Sequence, residues 1–235
     1  MNSTKATARL AGLMYLVMAG LMVIGYMIVP GMFTVPGDAA ATARKIIDGT
    51  QMYRLGVLSA LVSQILFIAV VLTLYDLFKD VDRRHARLMV AWVCAGVAVE
   101  IVNLAYRMAP LILLSGADFL SVFNRAQLDA LALGSIRLGN ALGQLVSAIW
   151  GLWLFPFGIL AIRSGFFPRI LGFLLFAAGL SWVVTCLTSL VFPAHRGLVT
   201  QFMMPLHLGE LGIVFWMLIM GAKVPQAEVR PAPAS

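Results

Sequence analysis

Two carboxylic acids stand inside long apolar segments of the sequence, Glu100 and Glu210. A charged side chain at the middle of a bilayer costs about 3 kcal/mol on insertion scales, so such residues are candidates for a functional site. Each carboxylate must pair with an arginine, bind a cation or stay protonated. We expect Glu100 to lie within about 4 Å of a basic side chain, either Arg107 or, as the better candidate, Arg137.

Further polar residues recur near these acids with helical spacing. Two sets follow an i, i+3, i+7 pattern: Glu100, Asn103 and Arg107, then Arg137, Asn140 and Gln144. Residues with this spacing share one face of a helix. His207 and Glu210, three residues apart, form a third polar face. We predict that these eight residues enclose a pocket in the outer half of a helical bundle, closed below by the apolar segment 145–153.

Two simpler interpretations of the same residues stay open. Amides and hydroxyls crosslink membrane helices by hydrogen bonds worth about 0.6 kcal/mol or more each, so the polar faces could serve packing alone. Arg107 and Arg137 lie next to apolar runs that can span a bilayer without them, and their long side chains could extend to the outer interface. Neither interpretation accounts for burying Glu100 and Glu210.

The histidines, cysteines and acidic residues of the sequence do not form the pattern of a metal or cofactor site. A catalytic zinc site uses three protein ligands, and here only His207, Glu210 and one distant residue could supply them. A bis-histidine haem fails because, of the three histidines, only His207 lies in a predicted span. The two cysteines lie in apolar runs, where a thiol behaves as a small hydrophobic group. We therefore predict no metal site and no cofactor.

The composition places this chemistry in a membrane. Of the 235 residues, 61% are hydrophobic and 11% charged, whereas a soluble domain is about a quarter charged. A bilayer core of about 30 Å needs about 20 apolar residues per helix. Six segments satisfy this requirement: residues 10–30, 55–77, 88–114, 132–162, 170–193 and 203–221. The predicted fold class is an all-α polytopic helical bundle, forming a single membrane domain over residues 1–224.

Basic residues indicate the orientation. Six spans place ten of the 17 lysines and arginines on the side of the two termini, and the densest cluster, Lys79 to Arg87, lies on that side. Positively charged loops stay in the cytoplasm, so both termini are predicted to be cytoplasmic, in the bacterial inner membrane. The net charge of +7 is explained by these flanks, and no nucleic-acid partner is predicted.

The outer loops carry helix start signals. Asp38 precedes a run of strong helix formers, and Ile46 and Ile47 would let this short amphipathic helix lie on the membrane surface. Asn124 and Gln127 have capping-box spacing, so the fourth helix is expected to start before the membrane. The tail at residues 225–235 is rich in Pro and Ala and is predicted to be disordered and cytoplasmic.

Four short motifs occur in a characteristic order along the chain. They are RLAGLMY at 9–15, PGDAAATA at 36–43, YRLG at 53–56 and SGFFPRILG at 164–172. In these motifs the sequence resembles the bacterial family catalogued as domain of unknown function 4386, over nearly its whole length. The resemblance implies a six-span inner-membrane protein and carries over no activity.

The functional hypothesis follows from the predicted pocket. We expect a membrane protein that binds or transports a small amphipathic or anionic ligand, such as a lipid, with Arg107, Arg137 and His207 as anion contacts. The alternatives are an intramembrane lipid-modifying enzyme, with His207 and Glu210 as its acid/base pair, and a structural or regulatory subunit without a ligand. The sequence favours a non-enzymatic role and leaves open a homo-oligomer.

Overall fold

Six membrane-spanning helices account for most of the protein in a computed structural model, which describes residues 3–223. The spans are Thr4–Phe33, Thr50–Phe78, Arg83–Leu113, Arg125–Ser164, Arg169–Val191 and Pro193–Ile219. The all-α class and the six spans are confirmed, and the described residues contain no strand. The predicted tail at 225–235 lies outside the described residues.

The spans follow one another around a ring. Helices α1 (Ser3–Val23), α4 (Thr50–Phe78), α5 (Arg83–Leu113), α6 (Arg125–Leu152) and α8 (Arg169–Val191) each pack against the next. The sixth span consists of α9 (Arg196–His207) and α10 (Gly209–Ile219). The ring is closed by α10, which packs against both α8 and α1. In contrast, α9 packs almost entirely against α8 and buries none of its own residues.

Prolines explain why two spans are irregular. A proline has no N–H for the carbonyl four residues earlier, and its ring pushes that carbonyl away. In the first span, Pro30 follows a widened π-helical turn, Ile24–Ile28, before the short α2 (Val29–Phe33). In the fourth, Pro156 lies just after a break at Trp153, where α7 (Leu154–Ser164) takes over from α6. The sequence predicts a kink from Pro156, and the break falls three residues before it.

Several contacts gather the loops that carry most of the basic residues at one end of the bundle, here called the basic end. Arg163, in the last turn of α7, pairs with Asp82, just before α5, at 2.5 Å. Lys223 N–H donates to the Phe166 carbonyl at 3.0 Å, and Arg9 donates to the Ile219 carbonyl at 2.9 Å. The main apolar core, which includes Phe78, Met89 and Phe157, lies between the helices toward this end.

The opposite end, the far end, is covered by the loop helices. Helix α3 (Ala39–Asp48) begins as predicted, with the Asp38 carboxylate accepting from Ala41 N–H at 2.8 Å. The capping box of Asn124 and Gln127 also forms at the start of α6. Helix α3 packs on the bundle through Ile46, which is 1% exposed and contacts Phe33 and other residues of a small second core, whereas Ile47 is exposed. The position of α3 on the membrane surface stays a prediction.

Candidate functional site

A cleft of about 800 Å³ opens in the half of the bundle toward the far end. Its walls come from α5, α6, α8, α9 and the α1 region that ends in the π turn. Seven of the eight residues that the sequence singled out line it: Glu100, Asn103, Arg107, Arg137, Asn140, Gln144 and His207. The eighth, Glu210, lies in a neighbouring compartment described below.

The helical spacing explains how α5 and α6 contribute to one wall. The two polar faces meet where α6 presents glycines to α5. A Cβ at Gly139 would lie 3.0 Å from Asn103 Oδ1, and one at Gly143 would lie 3.6 Å from Asn103 Nδ2. Small residues thus let the buried amide of Asn103 approach the α6 backbone.

The partner of Glu100 differs from the expected one. Asn103 Nδ2 donates to Glu100 Oε2 at 3.1 Å, within the same helix. Among the described residues, no ion pair involves Glu100, so the expected contact with Arg107 or Arg137 is wrong. Arg107 lies two turns along α5, and its guanidinium is drawn to an aromatic ring instead.

That ring belongs to Tyr26, in the π-helical turn of the first span. The Arg107 guanidinium carbon lies 4.7 Å from the Tyr26 ring centroid, a cation–π contact. Gln64 Nε2 donates to the Tyr26 hydroxyl at 3.2 Å. A π turn shifts the register of the side chains that follow, and such turns are frequent at functional sites. The sequence analysis missed Tyr26, although Pro30 was a signal for an irregular turn before it.

The α9 wall adds residues that the sequence analysis did not select. Arg196 and Thr200 of α9 line the cleft, and Thr185 and Ser189 line it from α8. Met22 and Met27 of the first span form the apolar side. Arg196 lies in a loop segment of the sequence, and nothing in its local pattern distinguished it from an ordinary flanking arginine.

Four buried polar atoms on the cleft wall have no hydrogen-bond partner among the described residues. They are Asn103 Oδ1, Arg107 Nε, Thr185 Oγ1 and His207 Nε2. Buried polar atoms are paired in the great majority of cases, and an unpaired one costs about 1–3 kcal/mol. The wall therefore offers both donors and acceptors to a bound molecule.

Glu210 lies in a second cavity of about 280 Å³, here called the aromatic compartment. The compartment adjoins the cleft. Residues that line both cavities, including Met22, Trp182 and His207, form the boundary between them. The Glu210 carboxylate accepts hydrogen bonds from the Tyr15 hydroxyl and from Trp182 Nε1, the latter at 3.2 Å.

His207 and Glu210, the acid/base pair considered from the sequence, both line the aromatic compartment, and among the described residues no ion pair joins them. The helix is interrupted between them at Leu208, where α9 ends and α10 begins. Trp182 contacts both residues, because its ring stacks on His207 and its Nε1–H donates a hydrogen bond to Glu210. Tyr15 and Trp182 were missed because aromatic residues in apolar runs resemble ordinary packing.

Within residues 3–223, no three His, Cys, Asp or Glu side chains lie close enough together to hold a metal ion. The site therefore consists of two adjoining cavities with different linings, one rich in arginine and amide groups and one rich in aromatic rings.

One family model matches the chain, Domain of unknown function (DUF4386), over residues 10–221. No curated protein and no solved structure matches the chain.

Proposed function

The chain belongs to the DUF4386 family, and because that description carries no activity, we propose from the site itself that the cleft binds a small acidic amphipathic molecule. The observation that carries this proposal is the charge of the lining. Among the described residues, the cleft presents Arg107, Arg137 and Arg196 against the single carboxylate of Glu100. An arginine fork matches a phosphate or carboxylate group with paired hydrogen bonds.

The apolar part of the ligand is assigned to the α1 side of the cleft. Met22, Val23 and Met27 line that side, and methionine side chains adapt to irregular apolar shapes. Residues of α1 and α9 both line the cleft, and α9 packs almost entirely on α8, so we infer that the cleft opens between α1 and α9 toward the lipid. This geometry supports entry of an amphipathic molecule from the bilayer, with its acidic group toward the arginines.

We propose that the protein lies in the bacterial inner membrane with both termini in the cytoplasm, so that the cleft faces outward. The contacts that gather Arg163, Arg9 and Lys223 at the basic end support this orientation under the positive-inside rule. Toward that end the packed core, with Trp153 and Phe157 stacked at 5.3 Å, lies below the cavities. A packed floor favours binding or sensing over a permanently open channel.

Dodecyl phosphate, titrated into the protein in dodecyl maltoside micelles, tests the proposal. Trp150 and Trp182 line the cleft, so tryptophan fluorescence reports occupancy. We expect saturable binding, weakened at least about tenfold by Arg137→Gln, because a hydrogen bond to a charged group contributes about 1.5–3 kcal/mol. Arg137 is exposed, so this substitution leaves the folded core intact.

Arg44→Gln is the matched control, since Arg44 is also exposed at the far end but does not line the cleft. Equal binding by wild type and Arg137→Gln, or equal loss in both variants, contradicts the proposal. A native mass spectrum of the purified protein then identifies which acidic lipid or metabolite is retained.

A further inference from the structure

The aromatic compartment has a lining unlike that of the cleft. Its walls include the rings of Tyr15, Phe67, Trp150, Trp153 and Trp182, with the Glu210 carboxylate at one side. Three of these rings form one cluster, with Phe67 5.2 Å from both Trp150 and Trp153. At about 280 Å³ the compartment has the volume of roughly nine water molecules in the liquid, enough for a small organic group.

The carboxylate in this compartment has only neutral partners. Tyr15 and Trp182 donate hydrogen bonds to Glu210, and both donors leave its charge uncompensated. Among the described residues, no Lys, Arg or His forms an ion pair with Glu210. A carboxylate away from water either takes up a proton or pairs with a positive group. The described residues supply no positive partner, so the charged form of Glu210 requires a cationic ligand.

The lining decides which kind of cation fits. Hard metal ions such as Ca²⁺ require six or more oxygen ligands, and here the oxygen atoms come from Glu210 and Tyr15. Aromatic rings around a cation, by contrast, are the recognised environment of quaternary ammonium groups, which are attracted to the negative faces of the rings. We propose that the aromatic compartment binds an organic ammonium group, with Glu210 as its counter-charge.

This site is independent of the arginine cleft, although the two share a boundary. Trp182, His207 and Met22 line both cavities, so the two adjoin at these residues, and we infer that an ammonium ligand enters the compartment from the cleft. The ammonium site requires neither Arg107 nor Arg137. If dodecyl phosphate fails to bind, the ammonium proposal is therefore unaffected. If choline fails to bind, the proposal for the cleft is likewise unaffected.

Choline and its uncharged carbon isostere 3,3-dimethylbutan-1-ol form a matched pair of probes. The two have nearly the same shape, so the difference between them isolates the positive charge. We expect choline to bind the wild-type protein in detergent at least about tenfold more tightly than the isostere, measured by isothermal titration calorimetry. Equal affinities, or no choline binding, overturn the proposal.

Glu210→Gln removes the charge while keeping the shape of the side chain, and it is expected to abolish the preference for choline. Asp129→Asn is the control, because Asp129 is a buried carboxylate, 6% exposed, that lines neither cavity. Retained choline preference in Glu210→Gln overturns the proposal.

Trp150→Leu provides a second test if Glu210→Gln fails to fold. Trp150 lines the compartment and forms no hydrogen bond with Glu210, so this variant removes an aromatic face without touching the carboxylate. We expect Trp150→Leu to weaken choline and leave the isostere unchanged, whereas Trp150→Phe restores choline binding. An equal loss of both probes in Trp150→Leu speaks against recognition by aromatic rings.

Discussion

The indole of Trp182 lies flat against the imidazole of His207, with ring centroids 4.1 Å apart and planes inclined by 25°. Both residues line the cleft and the aromatic compartment, so this stacked pair is part of the boundary between the two cavities. Its two rings come from α8 and from the last turn of α9. The boundary therefore depends on how α9 sits against α8.

Removing the His207 imidazole should widen the opening between the cleft and the aromatic compartment. We expect His207→Ala to accelerate choline association with the compartment, because the variant truncates one half of the stack, while His207→Phe keeps an aromatic ring and the wild-type rate. Stopped-flow tryptophan fluorescence measures both rates. Identical association rates in the two variants would show that the stack does not limit entry.

The second prediction concerns the stability of the close contact between α6 and α8. A Cβ at Gly151 would lie 2.5 Å from the Gly179 carbonyl oxygen, which is backbone and cannot move aside easily. We expect Gly151→Ala to lower stability by about 1–3 kcal/mol, the usual effect of overpacking. Thermal unfolding in detergent provides the comparison with Gly20→Ala, where a Cβ meets nothing within 4 Å. A Gly151→Ala protein as stable as Gly20→Ala would contradict the close approach.

The third prediction concerns Asp82, in the loop at the basic end. Hydrogen bonds from His85, first from its backbone N–H and then from its side chain, with a further one from Arg163, lower the pKa of Asp82 from 3.8 to about 2. A depressed carboxyl pKa in the folded state contributes stability that is present above the unfolded pKa and is lost as pH falls through the folded one. Wild-type stability should therefore drop between these two pH values.

Asp82→Asn is expected to reduce that drop, since an amide can still cap α5 but does not titrate. Chemical denaturation in detergent at a series of acidic pH values measures the effect. The control is Asp76→Asn, whose carboxylate pairs with Lys79 at the same end and is 61% exposed. The account fails if Asp76→Asn reduces the drop as much as Asp82→Asn does.

The fourth prediction is the orientation of the spans. Reporter fusions at Asp48, Arg84, Asp118, Arg163 and Arg196 should read out, in, out, in, out, because the basic end is expected to stay in the cytoplasm. An external signal at Arg84 reverses the topology and turns the cleft toward the cytoplasm. A substituted-cysteine accessibility assay at Asp48 and Arg84 checks the fusions in the full-length protein.

Features that depend on neighbours in the sequence were predictable. The six spans follow from apolar runs, because a bilayer requires helices of one minimum length. The caps at Asp38 and Asn124 follow from local hydrogen bonding between side chain and backbone. The two polar faces of α5 and α6 could be placed together because helical spacing fixes which residues share a face.

Features that depend on contacts between distant segments could not be predicted from the local sequence. Glu100 is bonded by Asn103 rather than by an arginine, since Arg107 lies over the Tyr26 ring and that ring comes from another span. Glu210 receives its hydrogen bonds from Tyr15 and Trp182, each on a different helix. Local pattern alone does not distinguish an aromatic residue that only packs from one that donates a hydrogen bond to a half-buried carboxylate.

Helix α9 buries none of its residues and is held mainly from one side, by α8. Regions with few buried contacts open at a small fraction of the free energy needed to unfold the whole molecule. The half of the sixth span at the far end can therefore move with little loss of packing. Its backbone amides should exchange with deuterium well before those of α4 or α5, which pack against a neighbouring helix on both sides. One rim of the cleft is thus easily opened.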